Sequence, residues 1–230
     1  MLVPIAALAL LAAGNPDPAA LLECWAKAVG GRDRLAKVQA VEREGTLATP
    51  GDKGTFHSWT RADGASHEQG TFGPSTWTTA FDGRRRWVLD GAAPVYDSAG
   101  VELQQAITEA YVASFSMLVP GRMPGEVRAG PGPSSLVLAP AGGREWAVAL
   151  DPKTCLPRTF TYPGGDRTIT VTLQKWAAFG GVLMPVASEQ SDGDPETLMR
   201  IRVERTRVDA PFPDSLLARP EWKASVKIPA

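Results

Sequence analysis

The spacing of apolar positions changes along the chain, and each change marks a different kind of element. Over residues 17–29, DPAALLECWAKAV, the apolar side chains that share one helical face are Leu21, Leu22, Trp25 and Val29. Asp17 is placed to cap this helix, and Pro18 fits its first position. A Gly-Gly pair then ends it, and residues 32–38 predict a second, shorter helix.

From Val41 the period becomes two, which indicates β-strands. Short runs such as GTFHSWTRA and SHEQGTF are separated by turn dipeptides, and the same pattern returns after residue 143. The even spacing predicts an antiparallel meander rather than parallel units. We expect about eleven strands. Residues 120–136 are interpreted as a loop, with or without a short strand at its start, and the proline-broken tail from residue 210 as a strap.

A helical pattern interrupts the strands over residues 102–119, ELQQAITEAYVASFSMLV. Its apolar stripe consists of Leu103, Ala106, Ile107, Ala110, Tyr111, Ser114, Phe115 and Leu118. The sequence therefore predicts one amphipathic helix in the middle of a β-rich chain.

Several strands have one apolar face. The positions that share such a face are, strand by strand, Trp77 with Phe81, then Trp146, Val148 and Leu150, then Phe160 with Tyr162. A sheet with one apolar face, curved around helices that also have one, buries both. The pattern fits a packed interior as well as a hollow one, and core packing is the commoner role of a buried tryptophan.

Composition limits the kinds of partner. Lys and Arg number 24, Asp and Glu number 25, and no basic block interrupts the 230 residues, so nucleic acid is not expected as a partner. The opening residues, MLVPIAALALLAAG, look like the core of a secretory signal, although no Lys or Arg precedes the apolar run. That run is too short to span a bilayer, and no other segment is long and apolar enough. We expect an exported protein without an integral membrane span.

The sequence contains no motif that would supply a reaction. The G-x-S-x-G, H-E-x-x-H, P-loop and C-x-x-C patterns are absent. His57 and His67 lie in predicted strands with no metal-ligand pattern around them, and we expect both to face solvent. We therefore predict a protein that is not an enzyme and has no cofactor and no metal site.

Cysteine occurs twice, as Cys24 on the first predicted helix and as Cys155 in the turn LDPKTCLPRTFTYPGG. A nucleophilic thiol needs a base and surroundings that favour the thiolate, and neither histidine lies near Cys155 in the sequence. We interpret Cys155 as a turn residue. In an exported chain the two cysteines either form a disulfide or remain buried and unpaired, and both alternatives are open.

Three segments resemble a known family: LLECWAKAVGGRDRLAKVQAVEREGTL (21–47), LDPKTCLPRTFTYPGG (150–165) and FPDSLLARP (212–220). They resemble bacterial envelope proteins with the fold of LolA and LolB, the outer-membrane lipoprotein carrier and its receptor. The resemblance implies an α+β fold, an antiparallel incomplete (half) β-barrel whose open face is covered by the N-terminal and mid-chain helices. It also implies a periplasmic location and, by analogy, a pocket for acyl chains or other apolar groups.

On this resemblance we expect a monomer that binds a lipid, a lipidated protein or another hydrophobic ligand, with residues 102–118 as a lid. The candidate ligand-binding residues on the concave face are Trp77, Phe81, Trp146, Val148, Leu150, Phe160, Ile107, Tyr111 and Phe115. Residues 1–14 would be the signal and residues 15–230 a single LolA-like domain. The alternative is an accessory or interaction module of the cell envelope with a packed core.

A similar helix-Gly-Gly-helix-strand opening occurs as the leading domain of some exported aspartyl proteases of the retropepsin type. Those enzymes need an Asp-Thr/Ser-Gly loop, because two carboxylates that share a proton carry out the hydrolysis. The nearest match, DSAG (97–100), has Ala99 where the glycine is required. If the chain is related to that group, the catalytic part is absent from this sequence or encoded elsewhere.

Overall fold

The computed structural model describes residues 17–221 as helices packed against one antiparallel sheet. The predicted signal at residues 1–14 and the end of the predicted strap lie outside the described residues. The helices are α1 (Pro18–Ala28), α2 (Arg32–Lys37) and α3 (Gly100–Ala113), and two 3-10 turns span Pro195–Thr197 and Asp214–Leu217. Among residues 17–221, no helix combines the length and the apolar character needed to cross a membrane.

The sheet has thirteen strands. In chain order they are β1 (Ala40–Ala48), β2 (Lys53–Arg61), β3 (Ser66–Phe72), β4 (Ser75–Phe81), β5 (Arg86–Asp90), β6 (Tyr96–Asp97), β7 (Gly125–Ala129), β8 (Ser135–Pro140), β9 (Trp146–Leu150), β10 (Pro157–Gly164), β11 (Arg167–Phe179), β12 (Val182–Ser191) and β13 (Met199–Val208).

Two meanders make up this sheet, and the first and last strands join them. The spatial order is β6-β5-β4-β3-β2-β1-β13-β12-β11-β10-β9-β8-β7, and Val41 of β1 pairs with Val208 of β13. Within the described chain the edge strands β6 and β7 do not pair with each other, so the sheet is unclosed. Helix α3 is the connection between these two edges. The α+β half-barrel with an N-terminal and a mid-chain helix is thus confirmed.

The strand count differs from the predicted eleven because turn residues obscure two strands near residue 130. Strand β7 lies within the segment 120–136 that was interpreted as a loop, β8 begins at the end of that segment, and β6 is only two residues long. Along β8, Leu136, Leu138 and Pro140 are buried and alternate with half-buried positions. The alternation is that of an ordinary strand, but the Gly-Pro-Gly-Pro turn that precedes it dominates the local composition.

Helix α1 begins as the sequence predicts. The Asp17 carboxylate accepts a hydrogen bond from the Ala19 amide at 3.0 Å, and Pro18 occupies the first turn. At its other end, Gly30 has φ +120°, and a Cβ there would lie 2.5 Å from the Gly181 carbonyl oxygen. Only glycine fits both the backbone angle and this close approach. The end of α1 is thereby packed directly against the β11–β12 hairpin.

Helix α3 ends earlier than the predicted residue 119. It stops at Ala113, and Phe115 adopts a left-handed backbone with φ +57°. The chain then continues inward through turns, so Phe115 and Leu118 are buried although they are not helical. Both residues are apolar because they pack in the core, and their spacing matches the helical period although the helix does not reach them.

Candidate functional site

A cavity of about 250 Å³ lies on the concave side of the sheet, beside α1 and the end of α3. Its apolar walls are Trp25, Val29, Val112, Ala113, Phe115, Met117, Trp146, Pro157, Phe160, Tyr162, Val171, Leu173, Trp176 and Pro185. Three further residues bring polar groups to it, namely Arg43, Glu109 and Gln190. An apolar hollow with a few polar groups is the usual character of a small-molecule site.

Stacked aromatic rings form one wall of the cavity. The Trp146 ring lies parallel to the Tyr162 ring, with centroids 4.4 Å apart, and meets the Phe160 ring edge-on at 5.9 Å. Phe160 in turn contacts Trp25 of α1, with ring centroids 6.3 Å apart. These pairs hold the wall in a fixed shape, because offset and edge-to-face rings are mutually attractive beyond their simple burial.

Arg43 brings a positive charge to this apolar surface. It projects from β1, is half-buried, and donates its Nη2 to the Met184 sulfur at 3.7 Å. Burial lowers the pKa of Arg43, although a guanidinium remains charged in proteins. Within residues 17–221, no carboxylate lies at salt-bridge distance from it. A desolvated cation with only a sulfur contact is energetically unfavourable, so this residue is not explained by stability.

Glu109 brings a carboxylate to the same cavity. Its Oε1 accepts a hydrogen bond from Gln105 Nε2 at 3.1 Å. Glu109 as a whole is exposed, but desolvation of its carboxylate by the surrounding protein is the main reason why the pKa of Glu109 is raised, and this outweighs the opposing effects of Gln105 and Arg86. Burial, and secondly the charge of Glu109, raises the pKa of Tyr162 to about 12. The Tyr162 hydroxyl therefore keeps its proton at neutral pH.

Trp146 has an unused hydrogen-bond donor. Its side chain is only 7% exposed, and its Nε1–H finds no acceptor in the described part of the chain. Buried indole N–H groups normally have a partner. Arg43 and Trp146 therefore both line the cavity, and each has hydrogen-bond donors that lack a strong acceptor among the described residues.

The predicted ligand-binding residues fall into four groups in the structure. Phe115, Trp146 and Phe160 line the cavity, and Tyr111, Val148 and Leu150 are buried in the adjoining core. Phe81 of β4 and Ile107 of α3 belong to a separate cluster with Ala106 and Ala110, away from the cavity wall. Trp77 lines a separate groove together with Glu68, to which it donates a hydrogen bond at 3.2 Å. Ligand contact by any of these residues stays a prediction.

The sequence analysis missed Arg43 as a residue of the concave face. Residues 42–44 read Glu-Arg-Glu, and three charged residues in a row hide the two-residue period of β1. It also gave no role to Trp176, although Trp176 lies in a run of alternating character in β11. Period-two spacing from Val41 would have placed Arg43 on the same face as that buried valine.

Cys24 and Cys155 form a disulfide, so the first of the two alternatives is correct. Cys155 has φ +58°, a left-handed conformation that favours glycine, and its amide donates to the Asp151 carbonyl at 2.8 Å. Its interpretation as a turn residue is thus confirmed. The bridge fastens α1, which carries Trp25 of the cavity wall, to the β9–β10 turn.

The convex face carries a cluster that looks like a metal site. One ligand atom each from Glu42, Glu44 and His57 lie within 4.8 Å of one another. Arginines already engage both carboxylates: Arg207 Nε donates to Glu42 at 2.6 Å, and Arg205 Nη1 donates to Glu44 at 3.4 Å. We interpret the cluster as an ion-pair network across β1, β2 and β13.

His67 does not face solvent as expected. It is 7% exposed and lies under the C-terminal strap (residues 210–221), with Nδ1 2.8 Å from the Leu216 carbonyl oxygen. Beside it, Trp87 Nε1 donates to the Leu217 carbonyl at 3.0 Å. The strap thus covers an aromatic part of the convex face, and this covering could not be read from the alternation of β3 alone.

Comparison with known proteins identifies the fold. No family profile and no curated protein sequence matches the chain. Among solved structures, a LolA superfamily protein from Nitrosomonas europaea aligns with a TM-score of 0.57 at 12% identity, covering 89% of this chain and 98% of that one. A DUF1329 family protein from Desulfovibrio piger gives 0.54 at 13% identity, covering 88% and 98%.

A third solved structure supports the same assignment. A putative outer membrane lipoprotein-sorting protein domain from Vibrio parahaemolyticus aligns with a TM-score of 0.52 at 9% identity, covering 86% of this chain and 96% of that chain. At such low identity the likeness concerns architecture alone. Residues 17–221, with their unclosed antiparallel sheet and covering helices, have the LolA-like fold.

Proposed function

We propose that this protein is a non-enzymatic periplasmic carrier that binds an acyl chain, or another hydrophobic group of a lipid or lipidated partner, in the concave cavity. The observation that carries the proposal is the largely apolar cavity of about 250 Å³, one wall of which consists of aromatic side chains of α1, β9 and β10. The fold is shared with an outer membrane lipoprotein-sorting domain, which fits such a role.

The size of the cavity suits a single chain. A water-sized group occupies about 30 Å³, so the space holds about eight groups of the size of a methylene. Transfer from water to an apolar site is worth about 0.8 kcal/mol per methylene, or about 6 kcal/mol for such a chain before the cost of association. A longer chain would extend past the cavity along the concave face.

The disulfide and the apolar N-terminal run support export. Stable disulfides are characteristic of oxidising compartments such as the periplasm. We propose residues 1–14 as the secretory signal and residues 15–230 as a single, monomeric domain. Helix α3 connects the two edges of the sheet and lies next to the cavity, and it would act as the lid.

Two observations on the protein would test this function. Native mass spectrometry of the exported protein, followed by solvent extraction, should show an excess mass that extracts as an acyl species. Ala113 lines the cavity at the end of α3, and Ala113→Phe should fill the space and reduce binding of a fluorescent fatty-acyl probe about tenfold or more. Gln104→Phe on the exposed side of the same helix is the matched control and should bind normally.

A clean apo mass, with no uptake of added lipid by the unmodified chain, would contradict the carrier function. It would leave the alternative of an accessory module of the cell envelope with a filled core.

A further inference from the structure

We infer that the cavity selects an acyl chain that ends in an anionic oxygen group, which Arg43 binds by its charge and the Trp146 indole by its N–H. This inference rests on the proposed function and adds the chemistry of the head group. It starts from two hydrogen-bond donors that line the same cavity and lack acceptors in the described part of the chain.

The first donor group is the Arg43 guanidinium. A guanidinium has five N–H donors in a planar fork that matches a carboxylate or a phosphate. In residues 17–221 the Arg43 side chain makes one polar contact, the 3.7 Å approach of Nη2 to the Met184 sulfur. Thioether sulfur is a weak acceptor, so nearly the whole hydrogen-bonding capacity of the group is available to a ligand.

The second donor is the Trp146 Nε1–H. The Trp146 side chain is only 7% exposed, and its Nε1 has no acceptor among the described residues. The ring itself is held by Tyr162 and Phe160, so it has little freedom to turn towards a partner elsewhere. A ligand oxygen in the cavity would supply the acceptor that the protein does not.

The acidic group of the cavity does not neutralise Arg43. Glu109 accepts a hydrogen bond from Gln105, and no salt bridge joins it to Arg43 in the described part of the chain. Gln190 contributes only a neutral amide. Most of the cavity lining is apolar, and in such surroundings Arg43 would bind an anion more strongly than it would in water.

Apart from Arg43, Glu109 and Gln190, the side chains that line the cavity are apolar, and these walls would hold the chain of the ligand. Apolar walls of Val171, Leu173 and Trp176 complete the cavity. A ligand that is apolar along its length and anionic at its end satisfies both the walls and the donors. A free fatty acid and a phosphate-bearing lipid share this chemistry, and the experiment separates them.

The test compares probes that share one decyl chain and differ at its end: decanoate, decyl phosphate, decan-1-ol and decyltrimethylammonium. Binding to the full exported chain is measured by calorimetry at about pH 8, where a carboxylic acid is ionised. We expect one or both anions to bind about tenfold tighter than decanol, or more, as a charge-assisted hydrogen bond provides. Preference for decanoate or for decyl phosphate then tells which head group is the ligand.

Arg43→Gln should reduce the preference for anions over decanol, measured as the ratio of the two dissociation constants in the same variant, to about twofold or less. Arg202→Gln is the matched control, because Arg202 projects from the exposed face of β13. Trp146→Phe keeps an aromatic ring but removes the N–H donor together with part of the indole. It should weaken binding of the anion about threefold or more, and should weaken decanol binding less, because decanol does not depend on the donor in the same way. Arg43→Met should leave the free protein at least as stable to urea as the unmodified chain, because it removes an uncompensated charge from an apolar site.

Equal binding of all four probes would overturn the inference and leave the apolar cavity of the proposed function intact. The same holds for a preference for the cationic probe, which would assign the recognition to Glu109, and for an anion preference that survives Arg43→Gln. Failure of every decyl probe to bind would overturn the proposed function together with the inference. Clear destabilisation by Arg43→Met would show that the guanidinium has a structural role and would also overturn it.

Discussion

Cys24 and Cys155 lie 131 residues apart in the sequence, and their Cα atoms lie 5.7 Å apart across a disulfide. The bond joins helix α1 to the turn between β9 and β10, so the element that carries Trp25 cannot leave the sheet without breaking a covalent link. In a chain of this length, a bridge between such distant positions removes a large part of the freedom of the unfolded state.

Loss of this bridge should destabilise the protein strongly. For Cys24→Ala with Cys155→Ala we expect the free energy of unfolding to fall by about 4 kcal/mol, because the closed loop is long. Urea denaturation followed by tryptophan fluorescence measures it. A second pair, Cys24→Ala with Cys155→Gly, should recover about 1 kcal/mol, since the backbone at residue 155 is left-handed. Equal stability of both pairs would contradict that reason.

Arg122 should be a principal stabiliser of the helical layer. Its guanidinium donates to the Ser114 carbonyl at 2.5 Å and to the Leu35 and Val38 carbonyls at 2.6 Å each. These carbonyls lie at the C-terminal ends of α3 and α2, where a cation is favourable. Arg122→Met should therefore reduce the free energy of unfolding by about 3 kcal/mol.

The matched control for Arg122 is Arg128, whose described polar partner is the exposed Glu145. Arg128→Met should change the stability by less than about 1 kcal/mol, as expected of an exposed ion pair. Chemical denaturation measures the free energy of unfolding of both variants. Similar losses in the two would show that the hydrogen bonds of Arg122 do not stabilise the helical layer.

The stability of the protein should fall in mild acid because of His67. Burial lowers the pKa of His67 below its ordinary value of 6.5. The unfolded chain then takes up this proton at a higher pH than the folded chain does. The contribution of His67 is fully present above about pH 6.5 and is lost as the pH falls below that value towards the pKa of the folded state.

His67→Asn tests this dependence, because the amide can donate to the Leu216 carbonyl in place of Nδ1 and does not titrate. Unfolding free energies measured at about pH 7.5 and pH 5 should differ less in the variant than in the unmodified chain. An unchanged difference would show that another group causes the loss.

Glu42 should add a second loss at lower pH. Its carboxylate is buried, and the hydrogen bonds from Arg207 are the main reason why the pKa of Glu42 lies below 4.5. Stability from this group is present above about pH 4.5 and disappears as the pH falls through the lower pKa of the folded state. Glu42→Gln should lower the stability at neutral pH and flatten the acid limb of a thermal-denaturation profile. A parallel acid limb in the variant would refute this.

The sheet could be predicted from the sequence to the extent that its strands alternate regularly. GTFHSWTRA, SHEQGTF and STWTTAF form three consecutive strands, and Asp17 with Pro18 marks the start of α1 as expected. The pairing of β1 with β13 could not be predicted, since it joins the two ends of the sheet and leaves no local signal. It decides which residues share the concave face.

The cavity was harder to predict for the same reason. Its apolar walls could be anticipated in part, as Phe160 and Trp146 show, because inward positions recur at a period of two. Glu42 and Arg43 are neighbours in a charged run, and only the tertiary structure separates a carboxylate buried on the convex side from a guanidinium on the concave side. Charge alone indicates a solvated surface for both.

Two of the hydrogen bonds that hold the strap use its main chain rather than its side chains. His67 and Trp87 contact the carbonyl oxygens of Leu216 and Leu217, and every amino acid carries such an oxygen. These two bonds therefore depend on side chains of the sheet, and the residue types at positions 216 and 217 can change without removing either bond. In an engineered or diverged chain, retention of the histidine and the tryptophan would preserve these two anchoring points across many different strap sequences.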